Sequence, residues 1–282
     1  MDLLSQTCED QPKQAFDSEL APEALLVTVP SSREILSFTS QICQLLNTYG
    51  VVIVEFEENE PPHEQLLCFK EIFGEIMSHD RSDVQGIAEV AVIDETSPYP
   101  GISSRAYTFH TDGSYDENPP RIVALRCQTP AESGGITQLA SGKKLHELLM
   151  SSDKEALAAL YKENALSITR AGKSFSGAVF KKFSENRVAI RYRTDDAASA
   201  SENKDIQKGF HLLANFLSDK RNLVSFNLKS KQVLITDNLT VLHARTAFEA
   251  GSGRKMHRLW FNGLPLEKGN LCCGFSENNL NV

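Results

Sequence analysis

The stretch Gln232-Val-Leu-Ile-Thr-Asp-Asn-Leu-Thr-Val-Leu-His-Ala-Arg-Thr-Ala-Phe248 holds two strand-like runs, Gln232–Thr236 and Val241–Ala244. Asp237-Asn238 between them is a turn signal. His243 lies on the second, apolar run. Working outward, the same texture recurs at Ala88–Ile93, Ala106–Asp112, Ile122–Cys127, Ile136–Leu139, Arg187–Tyr192, Leu223–Phe226 and Lys255–Phe261. Pro, Gly, Asp and Asn punctuate these runs. Helical patterns interrupt them at about Lys143–Met150, Asp153–Glu163 and Lys204–Leu217. Nearer the N-terminus, Ala24–Val29 reads as a strand. Ser31 with Glu34 forms a capping-box signature. Ile35, Phe38, Ile42, Leu45 and Leu46 keep helical spacing up to Gly50. Val51–Phe56 is a strand, and Pro61-Pro62 opens a helix through about Phe73. Many short strands with a few helices predict a mainly β fold with helical decorations. The expected core is a double-sheet jelly roll rather than a parallel βαβ sheet.

The chain has 282 residues, 41% hydrophobic and 23% charged, which suits an ordinary globular protein with a substantial core. One elaborated domain over 1–282 is the expectation. Residues 1–23 read as a loose tail. The acidic, small-residue stretch at about 193–204 reads as a mobile insertion able to cover a site. The net charge is −8, from 37 acidic and 29 basic residues, with no basic stripe. That argues against nucleic acid as a partner, so an anionic ligand would need locally placed arginines. No stretch approaches the length of a membrane span. The N-terminus has neither the basic nor the apolar region of a signal peptide. The six cysteines contain no C-x-x-C pair and read as free thiols of a cytoplasmic protein.

Phe109-His-Thr-Asp-Gly-Ser-Tyr115 supplies the chemistry. On a strand, alternate residues share a face, so His110 and Asp112 point inward together while Thr111 points away. With His243 they offer two imidazoles and a carboxylate. That donor set caps one face of a metal ion and leaves the opposite positions open, as a non-haem Fe(II) oxygenase needs. An isolated H-x-D arises by chance, and a lone strand histidine is more often a core residue than a ligand. His63, His79, His146, His211 and His257 lack such company and are assigned to packing or the surface. Arg254 and Arg258 follow His243 closely. On a strand they share a face roughly 13 Å apart, at about 3.3 Å per residue. Arginine grips carboxylates bidentately. Gly113, Ser114 and Tyr115 are placed to line a substrate pocket. Arg105 lies an odd number of positions from His110 and is left out of the site.

His110-Thr-Asp112, Pro130-Ala-Glu-Ser-Gly-Gly-Ile-Thr137, Asp237-Asn238, His243-Ala-Arg-Thr-Ala-Phe248 and Arg254-x-x-x-Arg258 together resemble the taurine dioxygenase-like (TauD/TfdA) family. The resemblance runs from about Val51 to Phe261. It implies a double-stranded β-helix with helices packed outside. It further implies an Fe(II)- and 2-oxoglutarate-dependent oxygenase that consumes O2, releases succinate and CO2, and hydroxylates or desaturates a C–H bond. In that reading His110, Asp112 and His243 ligate iron, while Thr137 and Arg254 meet the distal carboxylate of 2-oxoglutarate. Arg258 reaches toward the substrate's anionic group or the inner end of the co-substrate. Related halogenases carry a small residue where Asp112 stands, so the carboxylate disfavours halogenation. The implied substrate is a small anionic molecule, an amino acid or its derivative first, a sulfonate or other small acid second. Relatives form dimers and tetramers, so a homo-oligomer is compatible with the family. Leu239-Thr240 departs from the basic residue that many relatives carry after the Asp-Asn pair. Two other classes stay open at this point: a zinc hydrolase using the same three ligands, and a non-catalytic jelly-roll binding protein.

Overall fold

The computed structural model describes residues 12–97, 99–170, 172–184, 186–263 and 271–277. In chain order the strands are β1 (Leu26–Val29), β2 (Val51–Phe56), β3 (Ile76–Met77), β4 (Ala88–Ala91), β5 (Tyr107–His110) and β6 (Ile122–Thr129). They continue as β7 (Thr137–Ser141), β8 (Leu166–Arg170), β9 (Lys173–Gly177), β10 (Phe180–Ser184), β11 (Arg187–Ile190) and β12 (Ala198–Ala200). The last are β13 (Leu223–Phe226), β14 (Gln232–Asp237), β15 (Val241–Arg245), β16 (Lys255–Phe261) and β17 (Phe275–Ser276). The helices are α1 (Thr39–Tyr49), α2 (Pro62–Leu67), α3 (Lys70–Phe73), α4 (Gly142–Ser152), α5 (Lys154–Leu160) and α6 (Lys204–Ser218).

A larger sheet runs β1-β2-β14-β6-β16-β3, with β4 also on β16, and a smaller one runs β13-β7-β15-β5. Only β1 with β2 is parallel in these two sheets. Strand alternation divides the apolar residues cleanly. Val52, Val54, Ala124, Val233, Ile235, Leu259 and Phe261 face outward and pack with Ile42, Leu46, Leu66 and Phe69 of the N-terminal helical region. Val51, Ile53, Leu234 and Met256 face inward and meet Leu139, Val224 and Val241 of the smaller sheet. The outer face of the smaller sheet, through Ala140 and Leu242, is covered by α4, α5 and α6. β2 and β14 are therefore buried on both faces, which is why they read as continuous apolar runs. The jelly-roll expectation holds, and the space between the sheets is where inward polar residues must collect.

Several local expectations change. Ser31 does not cap the following turn, which begins as a 3-10 segment, Ser32–Phe38. Glu60 takes the Ser32 N–H (2.8 Å) and hydroxyl (2.9 Å) instead. The expected loose tail is packed where it is described: Phe16 is buried, and Lys13 donates to Leu46 O at 2.8 Å and to Cys272 O. A short polar sequence gave no sign that its lysine meets a buried acid, Asp237, at 3.1 Å. Residues 1–11 lie outside the described set. The stretch at about 193–204 carries β12, paired with β8 through Ala198↔Ile168, and Asp195 binds Arg170 at 3.1 Å. Cys43, Cys68, Cys127 and Cys273 are free thiols, whereas Cys272 is in a disulfide. Among the described residues no helix is long and apolar enough to cross a membrane.

Candidate active site

Antiparallel register places His110 of β5 directly opposite His243 of β15. Their rings lie 4.3 Å apart, centre to centre, on the inner face of the smaller sheet. Asp112 follows two residues later, just past the end of β5. Its Oδ1 is 3.4 Å from His110 Nε2 and 3.7 Å from His243 Nε2. One donor atom from each of the three residues lies within 4.8 Å of the others. Ligands about 2.0–2.2 Å from one ion stand at most about twice that far apart. The donors thus nearly enclose one coordination sphere.

Protonation agrees with a metal site. His110 Nδ1 is 2.8 Å from Thr108 O. A carbonyl can only accept, so Nδ1 carries the proton and Nε2 presents a lone pair. That Nε2 is buried without a hydrogen-bond partner, a costly arrangement unless something binds there. Burial, then the neighbouring His110, depresses His243 to about 3, and burial also lowers His110. Both rings are neutral and ready to ligate near neutral pH. Burial alone would raise the Asp112 carboxyl. The Arg258 guanidinium outweighs it and holds the group well below the ordinary carboxylate range. The residues present fit a resident metal ion.

The carboxylate is aimed by the opposite sheet. Even-numbered residues of β16 and the residue before it point inward: Arg254, Met256, Arg258 and Trp260. Trp260 Nε1 donates to Asp112 Oδ2 at 2.9 Å, and Arg258 Nη1 stands 3.1 Å from the same oxygen. Asn238, from the Asp-Asn turn, clamps the Asp112 backbone. Its Oδ1 accepts from Asp112 N at 2.7 Å, and its Nδ2 donates to Asp112 O at 2.9 Å and Pro120 O at 2.8 Å. Gly113 has φ 61°, and a Cβ there would meet Pro120 Cδ at 2.7 Å, so the turn leaving Asp112 needs glycine.

Arg254 is only 4% exposed, yet its Nε and Nη1 find no hydrogen-bond partner. It lies across the Phe248 ring at 5.2 Å and packs closely on Gly135. Burial lowers its pKa to about 10. Gly134 and Gly135 explain the glycine pair before Thr137: a Cβ at Gly134 would strike Ala247 O at 2.2 Å. Thr137, Arg254 and Arg258 line one cavity with the three candidate ligands. A buried, unpaired guanidinium is stable only if an anion meets it.

Of the remaining sequence candidates, Gly113 and Tyr115 border that cavity, but Ser114 does not. Ser114 is fully buried and its Oγ receives Arg193 Nε at 3.0 Å. Arg105 also lies outside, donating to Ser103 Oγ and Ser97 O. His79, assigned to packing from sequence, lines the cavity beside Trp260 and hydrogen-bonds Tyr115 Oη at 3.0 Å. Tyr107 stacks on His110 at 3.9 Å, although three positions separate them. A register shift between His243 and Arg245 breaks the alternation and turns Tyr107 inward. Arg81, Arg170, Arg193 and Arg245 also line the cavity, and sequence spacing carried no signal for them.

Residues 19–260 match the model of the taurine catabolism dioxygenase TauD, TfdA family. The chain belongs to this family. Membership makes it an oxygenase of the Fe(II)- and 2-oxoglutarate-dependent class, with O2 as the oxidant. Solved structures share the fold. Asparagine oxygenase with Fe(II), 3-hydroxyasparagine and succinate superposes with a TM-score of 0.63 at 16% identity, over 82% of this chain and 79% of that one. The non-haem iron oxygenase OrfP with iron and α-ketoglutaric acid gives 0.63 at 13% identity, over 93% of both chains. A taurine dioxygenase from Burkholderia xenovorans gives 0.60 at 20% identity, over 81% of this chain and 82% of that one.

Proposed function

We propose that this oxygenase hydroxylates, or desaturates, a C–H bond of a small anionic substrate, a free amino acid or a metabolite derived from one. Succinate and CO2 are the co-products. The observation that carries the reading is a three-ligand set within 4.8 Å sharing a cavity with Arg254, a buried guanidinium lacking a partner. His110, Asp112 and His243 would hold the iron. Thr137 and Arg254 would hold the distal carboxylate of 2-oxoglutarate. Arg258, Gly113 and Tyr115 would border the substrate, and Ser114 acts only through Arg193. Bound iron and 2-oxoglutarate supply the oxidising power, while the chain positions the substrate and excludes water. A zinc hydrolase would have no use for the buried Arg254. The substrate class is supported by similar folds crystallised with 3-hydroxyasparagine and with (3S)-hydroxy-L-Arg. A sulfonate is the second reading, favoured by the family description. The test is an anaerobic titration with Fe(II) and 2-oxoglutarate. A weak visible charge-transfer band is expected, and its absence would sink the assignment. A succinate-release screen over amino acids, other carboxylates and sulfonates then selects the substrate.

A further inference from the structure

Six arginines line the cavity: Arg81, Arg170, Arg193, Arg245, Arg254 and Arg258. Asp112 is the only carboxylate among the described lining residues, in a chain whose net charge is −8. The positive charge is therefore built locally, against the global balance. Arg254 and Arg258 face the metal end. Arg245 donates to Ser103 O at 2.9 Å and to Arg105 O, and so anchors a loop. The other three gather on the aromatic wall. Arg81 lies 5.3 Å and Arg170 4.6 Å from the centre of the Tyr99 ring. Arg170 and Arg193 both contact the Asp195 carboxylate. Arg81 has no ion pair among the described residues and reaches solvent. Partial burial first, then the like charges of Arg258 and Arg170, push its pKa down. A ring attracts a guanidinium that lies over it without neutralising it, so Arg81 can still pair with a planar anion.

We propose that the substrate carries a second anionic group, bound at the cavity mouth by Arg81 and Arg170 on Tyr99, while Arg258 faces its first. This rests on the oxygenase reading and narrows its substrate class to dianions. Two like charges on one ring repel each other, and an anion between them relieves that repulsion. The second group is a carboxylate or a phosphate, and both bind a guanidinium fork in the same way.

The test uses protein loaded anaerobically with Fe(II) and 2-oxoglutarate, and calorimetric titration with matched probes. L-Glutamate and L-2-aminoadipate carry the second carboxylate, O-phospho-L-serine carries the phosphate, and L-glutamine and L-norleucine carry neither. At least one probe with two anionic groups should bind about tenfold or more tighter than the probes lacking the second, the scale of a charge-assisted hydrogen-bonded pair. Arg81→Gln should erase that preference while leaving the affinity for L-glutamine and the iron–co-substrate absorption band unchanged, and Arg81→Lys should restore part of it. Dianions binding no tighter than L-glutamine, or a preference that survives in Arg81→Gln, would overturn the proposal. Failure of wild-type protein to form the absorption band would overturn the oxygenase reading instead.

Discussion

Asp112 and Asp237 are both aspartates buried to 1% and 0% exposure, and they do opposite work. Asp237 is saturated. It meets Lys13 Nζ at 3.1 Å and accepts from Leu239 N at 3.0 Å, Thr240 Oγ1 at 2.7 Å and Gly274 N at 2.9 Å. Asp112 has fewer partners. Trp260 donates to Oδ2, Arg258 Nη1 lies 3.1 Å from Oδ2 and 3.3 Å from Oδ1, and Oδ1 also faces two imidazole nitrogens, one of them without a hydrogen-bond partner. Burial is the same, so burial does not set the two apart. The unpartnered imidazole nitrogen beside Asp112 does. The two are also joined: Asn238, next to Asp237, holds the Asp112 backbone. The saturated carboxylate thereby helps position the one proposed to face a metal.

The contrast can be broken experimentally. The largest effect belongs to Asp112→Ala. Substrate-dependent succinate formation should fall by more than about a hundredfold, since losing a ligand exceeds the 10–100-fold typical of losing a ligand's hydrogen-bonded neighbour. Persistence at the wild-type rate in a succinate assay would remove Asp112 from the ligand set. The converse variant, Asp237→Ala, leaves Lys13 buried and unpaired, and should cost about 3–5 kcal/mol of stability in a urea melt. A loss under about 1 kcal/mol would show that Lys13 escapes to water, and that the two aspartates differ less than their contacts imply.

Finer variants sharpen the comparison. Trp260→Phe keeps an aromatic side chain and removes the N–H to Asp112. Fe(II) affinity should drop about 10–100-fold by metal titration, with little change in the melting temperature. Unaltered metal affinity would reduce Trp260 to a packing residue. The smallest effect is in pH. Burial holds His79 and His257 at about 4, below their unfolded value near 6.5. Between those values the unfolded chain binds more protons than the folded one. The stability these groups contribute is thus complete above about pH 6.5 and is lost as pH falls toward 4. Thermal melts of metal-free protein should show this slope, and His257→Gln should make it shallower. Melting temperatures independent of pH across that window would contradict the buried, neutral state of these rings.

Much of the fold was legible because strands and helices leave periodic traces. Leu223–Phe226 and Lys255–Phe261 appear with the bounds the sequence suggested, and α6 runs one residue beyond its expected end. The short strands β8, β9, β10 and β12 were not expected: β8 does alternate, with Leu166 and Ile168 buried, but over only five residues, and β9, β10 and β12 are short and largely polar or small. The site divided in the same way. His110, Asp112 and His243 were visible as motifs, and the fold brings them together. His79 and Tyr107 were not visible, because one is brought in by tertiary packing against Trp260 and the other by a register shift.

The order of residues alone determined which donor groups were available and which strand face each would occupy, because side-chain direction follows from a period of two. Only the folded chain decided which of those groups stay unsatisfied. Lys13 reaches Asp237 across 224 positions, Trp260 reaches Asp112 across 148, and Arg81 shares Tyr99 with Arg170 across 89. Satisfaction of a buried charge is a property of three-dimensional neighbours, and no local pattern encodes it.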